Sequence, residues 1–142
     1  MTFFPDVNVW LALVVAEHTH ARQAQNWADH AASDWLVLNR ITQMGLLRLL
    51  SNPTVMGRDS LTGADAWRVA DALLEHENIR FVKEPDGLDR IWRDLTPAGR
   101  ISPNFWTDAY LAAFARATGF TLVTFDRGFS KHRDIPLKIL GL

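Results

Sequence analysis

Three aspartates stand beside stretches of sequence that predict regular structure. Asp6 directly follows the short apolar run at residues 2–5, and Asp126 directly follows the run at residues 121–125. Asp108 falls in the first turn of a predicted helix. Because a parallel sheet collects functional side chains at the carboxyl ends of its strands, we interpret these carboxylates as candidates for one acidic site.

Each of these aspartates also has a purely structural explanation. Asp6 suits the N-cap of a following helix, and Asn8 shares that suitability. Asp108 suits the positive end of a helix dipole. Asp126 begins an Asp-x-Gly sequence that favours a turn. Taken one at a time, Asp6 and Asp108 are explained better by these structural roles than by catalysis, and Asp126 is explained about equally well by either.

Gathered at one sheet edge, the three carboxylates would repel one another unless a cation lay among them. The chain contains no cysteine. Hard oxygen ligands without thiolates favour Mg²⁺, or alternatively Mn²⁺, over Zn²⁺. Such an ion activates a bound water and stabilises charge on a phosphoryl group. The residues therefore indicate metal-assisted phosphodiester hydrolysis, provided that the fold brings them together.

The sequence gives less support to a histidine metal site or to catalysis by a covalent nucleophile. Residues 17–20 read Glu-His-Thr-His, but side chains two apart on a helix face different directions. We therefore expect His18 and His20 to lie at a solvated helix end. The absence of cysteine, and of a serine or threonine in a nucleophile-elbow context, argues against covalent catalysis.

Basic side chains accompany the acidic candidates. The segment 127–133, just after Asp126, has a composition suited to a phosphate backbone, and an ordinary solvated loop explains it equally well. The candidates for such contacts are Arg48, Arg127, Lys131 and Arg133, with Arg40 and His132 as further basic residues near the proposed site.

Predicted strands and helices alternate along the whole chain. The predicted strands are Thr2–Phe4, Trp35–Leu38, Ile79–Lys83, Phe120–Phe125 and Leu137–Leu140. The predicted helices are Val7–Glu17, Ala21–Ala32, Ile41–Leu50, Gly63–Glu75, Leu88–Leu95 and Phe105–Thr118, with Ser102 or Asn104 capping the last and a loop over residues 54–61. This alternation predicts an α/β fold with a mostly parallel sheet and helices on both faces, in one domain over residues 1–142.

Charge and apolar patterning argue against a strongly basic nucleic-acid-binding protein and against a membrane protein. The formal net charge is −1 and there is no polybasic run, so non-specific attraction to nucleic acid should be modest. The longest apolar run, Val9–Ala16, has eight residues, whereas a membrane span needs about 20. With no signal-peptide pattern, we expect a cytoplasmic protein and no membrane partner.

Four stretches of the chain resemble the PIN-domain ribonucleases, and in particular the VapC-type toxins of toxin–antitoxin pairs. Asp6-Val7-Asn8-Val9-Trp10 is similar to the opening of that family. The other stretches are residues 42–53 (Thr-Gln-Met-Gly-Leu-Leu-Arg-Leu-Leu-Ser-Asn-Pro), residues 107–113 (Thr-Asp-Ala-Tyr-Leu-Ala-Ala) and residues 122–129 (Leu-Val-Thr-Phe-Asp-Arg-Gly-Phe). His18, His20 and Trp27 also match residues of one branch.

The resemblance implies a three-layer α/β/α sandwich with a central parallel sheet and an acidic pocket. It implies a Mg²⁺-dependent endoribonuclease acting on tRNA or rRNA, a homodimer, and neutralisation by a small cognate antitoxin. Asp6, Asp108 and Asp126 match acidic residues of the family, and Asn8 and Thr124 match its polar supporting residues.

One residue departs from the family pattern. Many PIN domains carry a glutamate on the helix after the second strand, where this chain has Gln43. An amide can still coordinate a cation or form hydrogen bonds, but it removes one negative charge. We expect this change to weaken a second metal and to leave a one-metal site.

Two alternatives compete with a toxin ribonuclease. One is a non-catalytic, PIN-like module that binds RNA or protein, with Gln43 as the sign of a weakened site. The other is a phosphatase of the haloacid-dehalogenase type, which also uses an aspartate after its first strand. That family needs a second aspartate two residues further on, and this chain has Asn8 there.

Overall fold

The computed structural model describes residues 1–132 and 134–141. Its strands are β1 (Thr2–Pro5), β2 (Trp35–Leu38), β3 (Ile79–Phe81), β4 (Thr121–Thr124) and β5 (Leu137–Ile139). Its helices are α1 (Val7–Val14), α2 (Ala21–His30), α3 (Arg40–Leu50), α4 (Pro53–Met56), α5 (Gly63–Leu74), α6 (Leu88–Leu95) and α7 (Phe105–Thr118), with 3-10 helices over Gly57–Asp59 and Arg127–Lys131.

The strands of the described residues form one sheet in the order β3-β2-β1-β4-β5. Each neighbouring pair is parallel, with Phe3 opposite both Leu36 and Thr121 in the register. The central strand is therefore β1. The prediction of a mostly parallel sheet is confirmed.

Successive residues of the strands point to opposite faces of the sheet. Phe3 packs into one hydrophobic cluster together with Leu36 and Leu38, whereas Phe4 packs into the other together with Val37. On the first face, Phe3 meets the ring of Trp27 edge to face at 5.5 Å. Strands that are apolar on both sides require a covering layer on each side.

Helices supply those two layers. Buried residues of α1, α2, α3 and α5 join the cluster around Phe3, and buried residues of α6 and α7 join the cluster around Phe4. Helix α1 packs against α2 and α3, and α6 packs against α7. The described residues thus form the three-layer α/β/α sandwich that the resemblance implied.

Two local predictions were wrong by more than two residues, and a third was correct only in part. Helix α1 ends at Val14 because Val15 is extended, three residues before the predicted end at Glu17. Residues 54–61 were expected to form a loop, but α4 begins at Pro53, capped by the Asn52 side chain, which accepts from the Thr54 amide at 2.9 Å. Proline at the first helical position already has a helical φ angle, so this short helix was detectable from Asn-Pro. Asn104 is the N-cap of α7, but its side chain makes no capping hydrogen bond.

No helix in the described part of the chain is long and apolar enough to cross a membrane.

Candidate functional site

The site lies where the sheet order reverses. β1 pairs with β2 on one side and with β4 on the other, and the chain reaches these two neighbours by separate crossovers. Ligands of open α/β sheets bind in the crevice outside the carboxyl ends of strands at such a point. Asp6 directly follows β1, and Asp126 lies two residues after β4. The topology therefore brings together two carboxylates that are 120 positions apart.

Hydrogen bonds tie the backbone of Asp6 to β4 and its side chain to α1. Its backbone amide donates to the Val123 carbonyl at 2.9 Å, which continues the β1–β4 pairing by one residue. Its Oδ1 accepts from the Val9 amide at 3.2 Å and caps α1. Asp6 is thus the N-cap that its structural explanation predicted, and its other carboxylate oxygen, Oδ2, is not used by the cap.

Thr124 links Asp6 to Asp126. Its hydroxyl donates to Asp6 Oδ2, and its Oγ1 accepts from the Asp126 amide at 3.0 Å. Thr124 is fully buried at the end of β4. Its position agrees with the supporting role that the resemblance implied.

Burial dominates the electrostatics of Asp6. It raises the pKa of this carboxyl to about 6 from 3.8, because a charged group loses its hydration there. Hydrogen bonds from Thr124 and from the amides of Val9 and Asn8 oppose the rise, and the charge of Asp126 adds to it. The Asn8 side chain itself is exposed on α1, so its observed support for Asp6 comes from its backbone.

Asp108 approaches the same site from α7. It is half-buried in the first turn of that helix, and burial together with the charge of Asp126 raises its pKa. Lys131 opposes that rise. Asp126 therefore interacts electrostatically with both Asp6 and Asp108.

Asp126 also has the turn-forming role expected of Asp-x-Gly. It caps the 3-10 helix Arg127–Lys131, where its Oδ1 accepts from the Gly128 amide at 2.8 Å. Across the residues that the structure describes, no three His, Asp or Glu side chains lie close enough together to form a ready-made metal site. The three aspartates share one electrostatic environment without converging on one point.

Gln43 is buried on α3, and its amide oxygen already has a partner. Arg40 donates to Gln43 Oε1 at 2.5 Å, one helical turn away. The Arg40 guanidinium also lies over the Phe81 ring at 4.6 Å from its centroid. A cation thus lies beside Gln43, the position where the resemblance implied a glutamate. The i,i+3 spacing was the signal for this pair, which the sequence reasoning did not use.

The described candidate basic residues lie on two different elements of the fold. Arg127 and Lys131 are exposed on the 3-10 helix after Asp126, and the Lys131 ammonium lies 4.8 Å from the centroid of Phe105. Arg48 is exposed in the last turn of α3, beside Val7 and Asn52. Arg133 lies outside the described residues.

The histidines differ from expectation. His132 is buried between the rings of Phe105 and Phe129, and burial lowers its pKa, so it is a poor phosphate ligand. His18 and His20 do not end α1, which stops at Val14; His20 is instead the N-cap of α2. Both are partly buried, and the His20 ring stacks on Phe125 at 4.5 Å. The predicted helix end is therefore correct for His20, but the pair is partly buried rather than solvated.

Sequence reasoning missed a group of polar and aromatic residues next to the aspartates. Tyr110 on α7 donates to Glu84, which follows β3, at 2.7 Å. The indole nitrogen of Trp92 donates to the Trp106 carbonyl at 3.1 Å. No short-range sequence signal announces either contact, since the partners are 26 and 14 positions apart.

Comparisons with known proteins agree with this geometry. A PIN domain model matches residues 3–135. The chain is 41% identical to ribonuclease VapC41 of Mycobacterium tuberculosis over 141 residues, which cover 96% of this chain and 97% of the relative. It is also 32% identical to ribonuclease VapC29 of the same organism, covering 98% of this chain and 97% of that one.

Solved structures show the same fold. VapBC2 from Rickettsia felis, solved bound to a DNA fragment from its promoter, matches with a TM-score of 0.72 at 16% identity, covering 99% of this chain and 100% of that one. VapC20 of M. tuberculosis, described as a sarcin-ricin loop cleaving toxin, matches with a TM-score of 0.63 at 20% identity, covering 91% and 93%. From the matching domain model and the identity to these relatives, the chain belongs to the PIN-domain family, in its VapC branch.

Proposed function

We propose that the chain is the toxin of a type II toxin–antitoxin pair and a metal-dependent endoribonuclease. Membership of the family and the names of its relatives, which are ribonucleases, support the reaction class. The observation that carries the proposal is the arrangement of Asp6, Thr124 and Asp126 at the point where the sheet order reverses.

The donor chemistry of the site fits a hard divalent cation, Mg²⁺ or Mn²⁺. Asp6 and Asp108 both have raised pKa values, caused first by burial and then, in part, by the charge of Asp126. A cation beside these carboxylates would stabilise their ionised forms against both burial and the charge of Asp126. Asp6, Asp108 and Asp126 would hold it, directly or through water.

When bound, the ion supplies an activated water and stabilises negative charge on the phosphoryl group. The residues of the chain prepare the site for it. Thr124 holds Asp6 Oδ2 in one orientation and favours its ionised form. Lys131 favours the ionised form of Asp108. Arg127, Lys131 and Arg48 would contact the RNA backbone, and Arg133, outside the described residues, stays a candidate from the sequence alone.

The partners follow from the same family membership. We propose a small cognate antitoxin, a homodimeric toxin, a structured cellular RNA of the tRNA or rRNA class as substrate, and a cytoplasmic location. One solved relative is a VapBC pair and another is a sarcin-ricin loop cleaving toxin, which supports the kinds of partner.

A non-catalytic module is the second candidate, since Gln43 replaces a carboxylate and is occupied by Arg40. Purified protein incubated with tRNA and rRNA, with Mg²⁺ or with EDTA, separates the two. Cleavage that requires Mg²⁺ supports the ribonuclease. RNA binding without cleavage under any divalent ion would contradict it and favour the module.

A further inference from the structure

A cavity of about 480 Å³ opens beside the acidic site, between the N-terminal ends of α3 and α7 and the side of α6. This volume falls in the range of small-ligand pockets, roughly 300–1,000 Å³. The lining residues that matter for its chemistry are Asn39, Arg40, Glu84, Trp92, Trp106 and Tyr110.

One wall of the cavity is aromatic. The Trp92 ring meets Trp106 edge to face at 6.2 Å and meets Tyr110 edge to face at 5.2 Å. Trp106 is 51% exposed, although an indole gains by burial. Flat aromatic faces that remain open to solvent are the surfaces on which single-stranded nucleic acids stack their bases.

The polar groups in the cavity match the edge of a base. Asn39 is 1% exposed, and its Nδ2 has no hydrogen-bond partner within the described ranges 1–132 and 134–141. A buried amide donor without a partner is unfavourable, and a ligand acceptor would satisfy it. Glu84 offers an acceptor, since the hydrogen bond from Tyr110 uses one of its oxygens. Arg40 adds a cation for the neighbouring phosphate.

One chain neighbour and one hydrogen bond connect the cavity to residues of the acidic site. Thr107 lines the cavity and directly precedes Asp108 on α7. Arg40 lines the cavity and donates to Gln43. A nucleotide whose phosphate lay at the aspartates would therefore have its base, or that of a neighbour, within reach of the cavity.

We propose that this cavity binds one unpaired nucleobase of the RNA, flanking the phosphodiester bond that is cleaved. The base stacks on the indole of Trp106, and its edge pairs with Asn39 and Glu84. Substrates must then present an unpaired base next to the cleavage site, which is a requirement for RNA shape rather than a long sequence. This inference rests on the proposed function for the substrate class.

Binding measured without catalysis tests the cavity separately from the ribonuclease. A fluorescently labelled, short single-stranded oligoribonucleotide is titrated with the protein in EDTA, together with versions that carry an abasic site at successive positions. Variants Trp106→Ala and Trp106→Phe are compared with the control Trp67→Ala. Trp67 is 50% exposed on α5, in the opposite layer of the sandwich.

The expected result is that Trp106→Ala weakens binding roughly 5- to 100-fold, the range for losing one base–aromatic stack. Trp106→Phe keeps most of the affinity and Trp67→Ala all of it. One abasic position weakens wild-type binding, and this loss disappears in Trp106→Ala, because both changes remove the same contact.

The proposal is overturned if Trp106→Ala and the wild type bind the oligoribonucleotide with equal affinity. It is also overturned if an abasic site weakens binding to Trp106→Ala as much as it weakens binding to the wild type. If Trp106→Ala keeps its RNA affinity but binds the cognate antitoxin more weakly, the cavity docks protein and the proposal is also overturned. These readouts do not depend on cleavage. If the protein shows the expected Trp106-dependent binding but does not cleave RNA, only the ribonuclease proposal is contradicted.

Discussion

The hydroxyl of Thr124, at the end of β4, donates a hydrogen bond to the carboxylate of Asp6, at the end of β1. The two residues are 118 positions apart and both are buried. The same hydroxyl oxygen accepts from the Asp126 amide. Thr124 therefore orients the carboxylate of Asp6, the most buried of the three aspartates. It also fixes the backbone of Asp126, the most exposed of the three.

Replacing Thr124 with valine should raise the pKa of Asp6 above its value of about 6, because the hydrogen bond to the ionised carboxylate is lost. Hydrogen bonds to charged groups contribute about 1.5–3 kcal/mol, so we expect a rise of roughly one to two units. A ¹³C NMR titration of the Asp6 carboxyl in metal-free protein measures it. Thr121→Val, at the other end of β4, is the matched control. An unchanged pKa in Thr124→Val would show that the bond contributes nothing.

Asp6→Asn should stabilise the metal-free protein at neutral pH. Because the folded-state pKa of Asp6 is raised from 3.8 to about 6, the folded protein binds the proton more tightly than the unfolded chain. The free energy of unfolding of the wild type then falls as pH rises through that window, by about 3 kcal/mol at the limit. Asparagine does not titrate, so Asp6→Asn should have a larger free energy of unfolding than the wild type. This difference should be complete above pH ~6 and should vanish near pH ~4.

Urea denaturation in EDTA at several pH values tests this stability effect. Asp71→Asn, an exposed substitution on α5, controls for the general loss of one negative charge. A stability difference between Asp6→Asn and the wild type that does not vary with pH would refute the raised pKa.

Gln43→Glu should increase the affinity for Mg²⁺ by restoring a carboxylate. Arg40, which donates to Gln43, would pair with the new carboxylate and limit the gain. The double variant Gln43→Glu/Arg40→Ala should therefore bind Mg²⁺ more tightly than the single one. Isothermal titration calorimetry measures both, with Gln23→Glu on the exposed face of α2 as the control. Equal or weaker affinity in both Gln43 variants would count against a role for this position near the metal.

Arg127→Ala and Lys131→Ala should each weaken RNA binding for all sequences. Each should also make the fall of log affinity with log salt less steep, by about one unit of slope. Lys131→Ala should also raise the pKa of Asp108, because the ammonium favours its ionised form. Filter binding over a salt series in EDTA provides the slopes, and Arg22→Ala on α2 is the control. Slopes identical to that of wild type would place both residues outside the RNA path.

The sequence predicted the sheet and the two helical layers because strands that are apolar on both faces and alternate with helices have few other solutions. It placed Asp6 and Asp126 at strand ends because each apolar run stops next to the carboxylate. Local signals could not show that Thr124 spans both residues, since that contact depends on the β1–β4 pairing. They also misjudged His18 and His20, because the extended Val15 ends α1 early and folds this segment against Phe125.

The most direct test of the acidic site is the rate of RNA cleavage in Mg²⁺ by Asp6→Asn, Asp108→Asn and Asp126→Asn, measured under single-turnover conditions beside Asp71→Asn. We expect each of the three to slow cleavage roughly 100-fold or more, as losing one preorganised electrostatic group does in other enzymes. Asp71→Asn should cleave like wild type. The urea denaturation of Asp6→Asn described above shows whether the variant is folded at neutral pH, which separates a loss of activity from unfolding. Cleavage at the wild-type rate by Asp6→Asn or Asp108→Asn would contradict the assignment of the site.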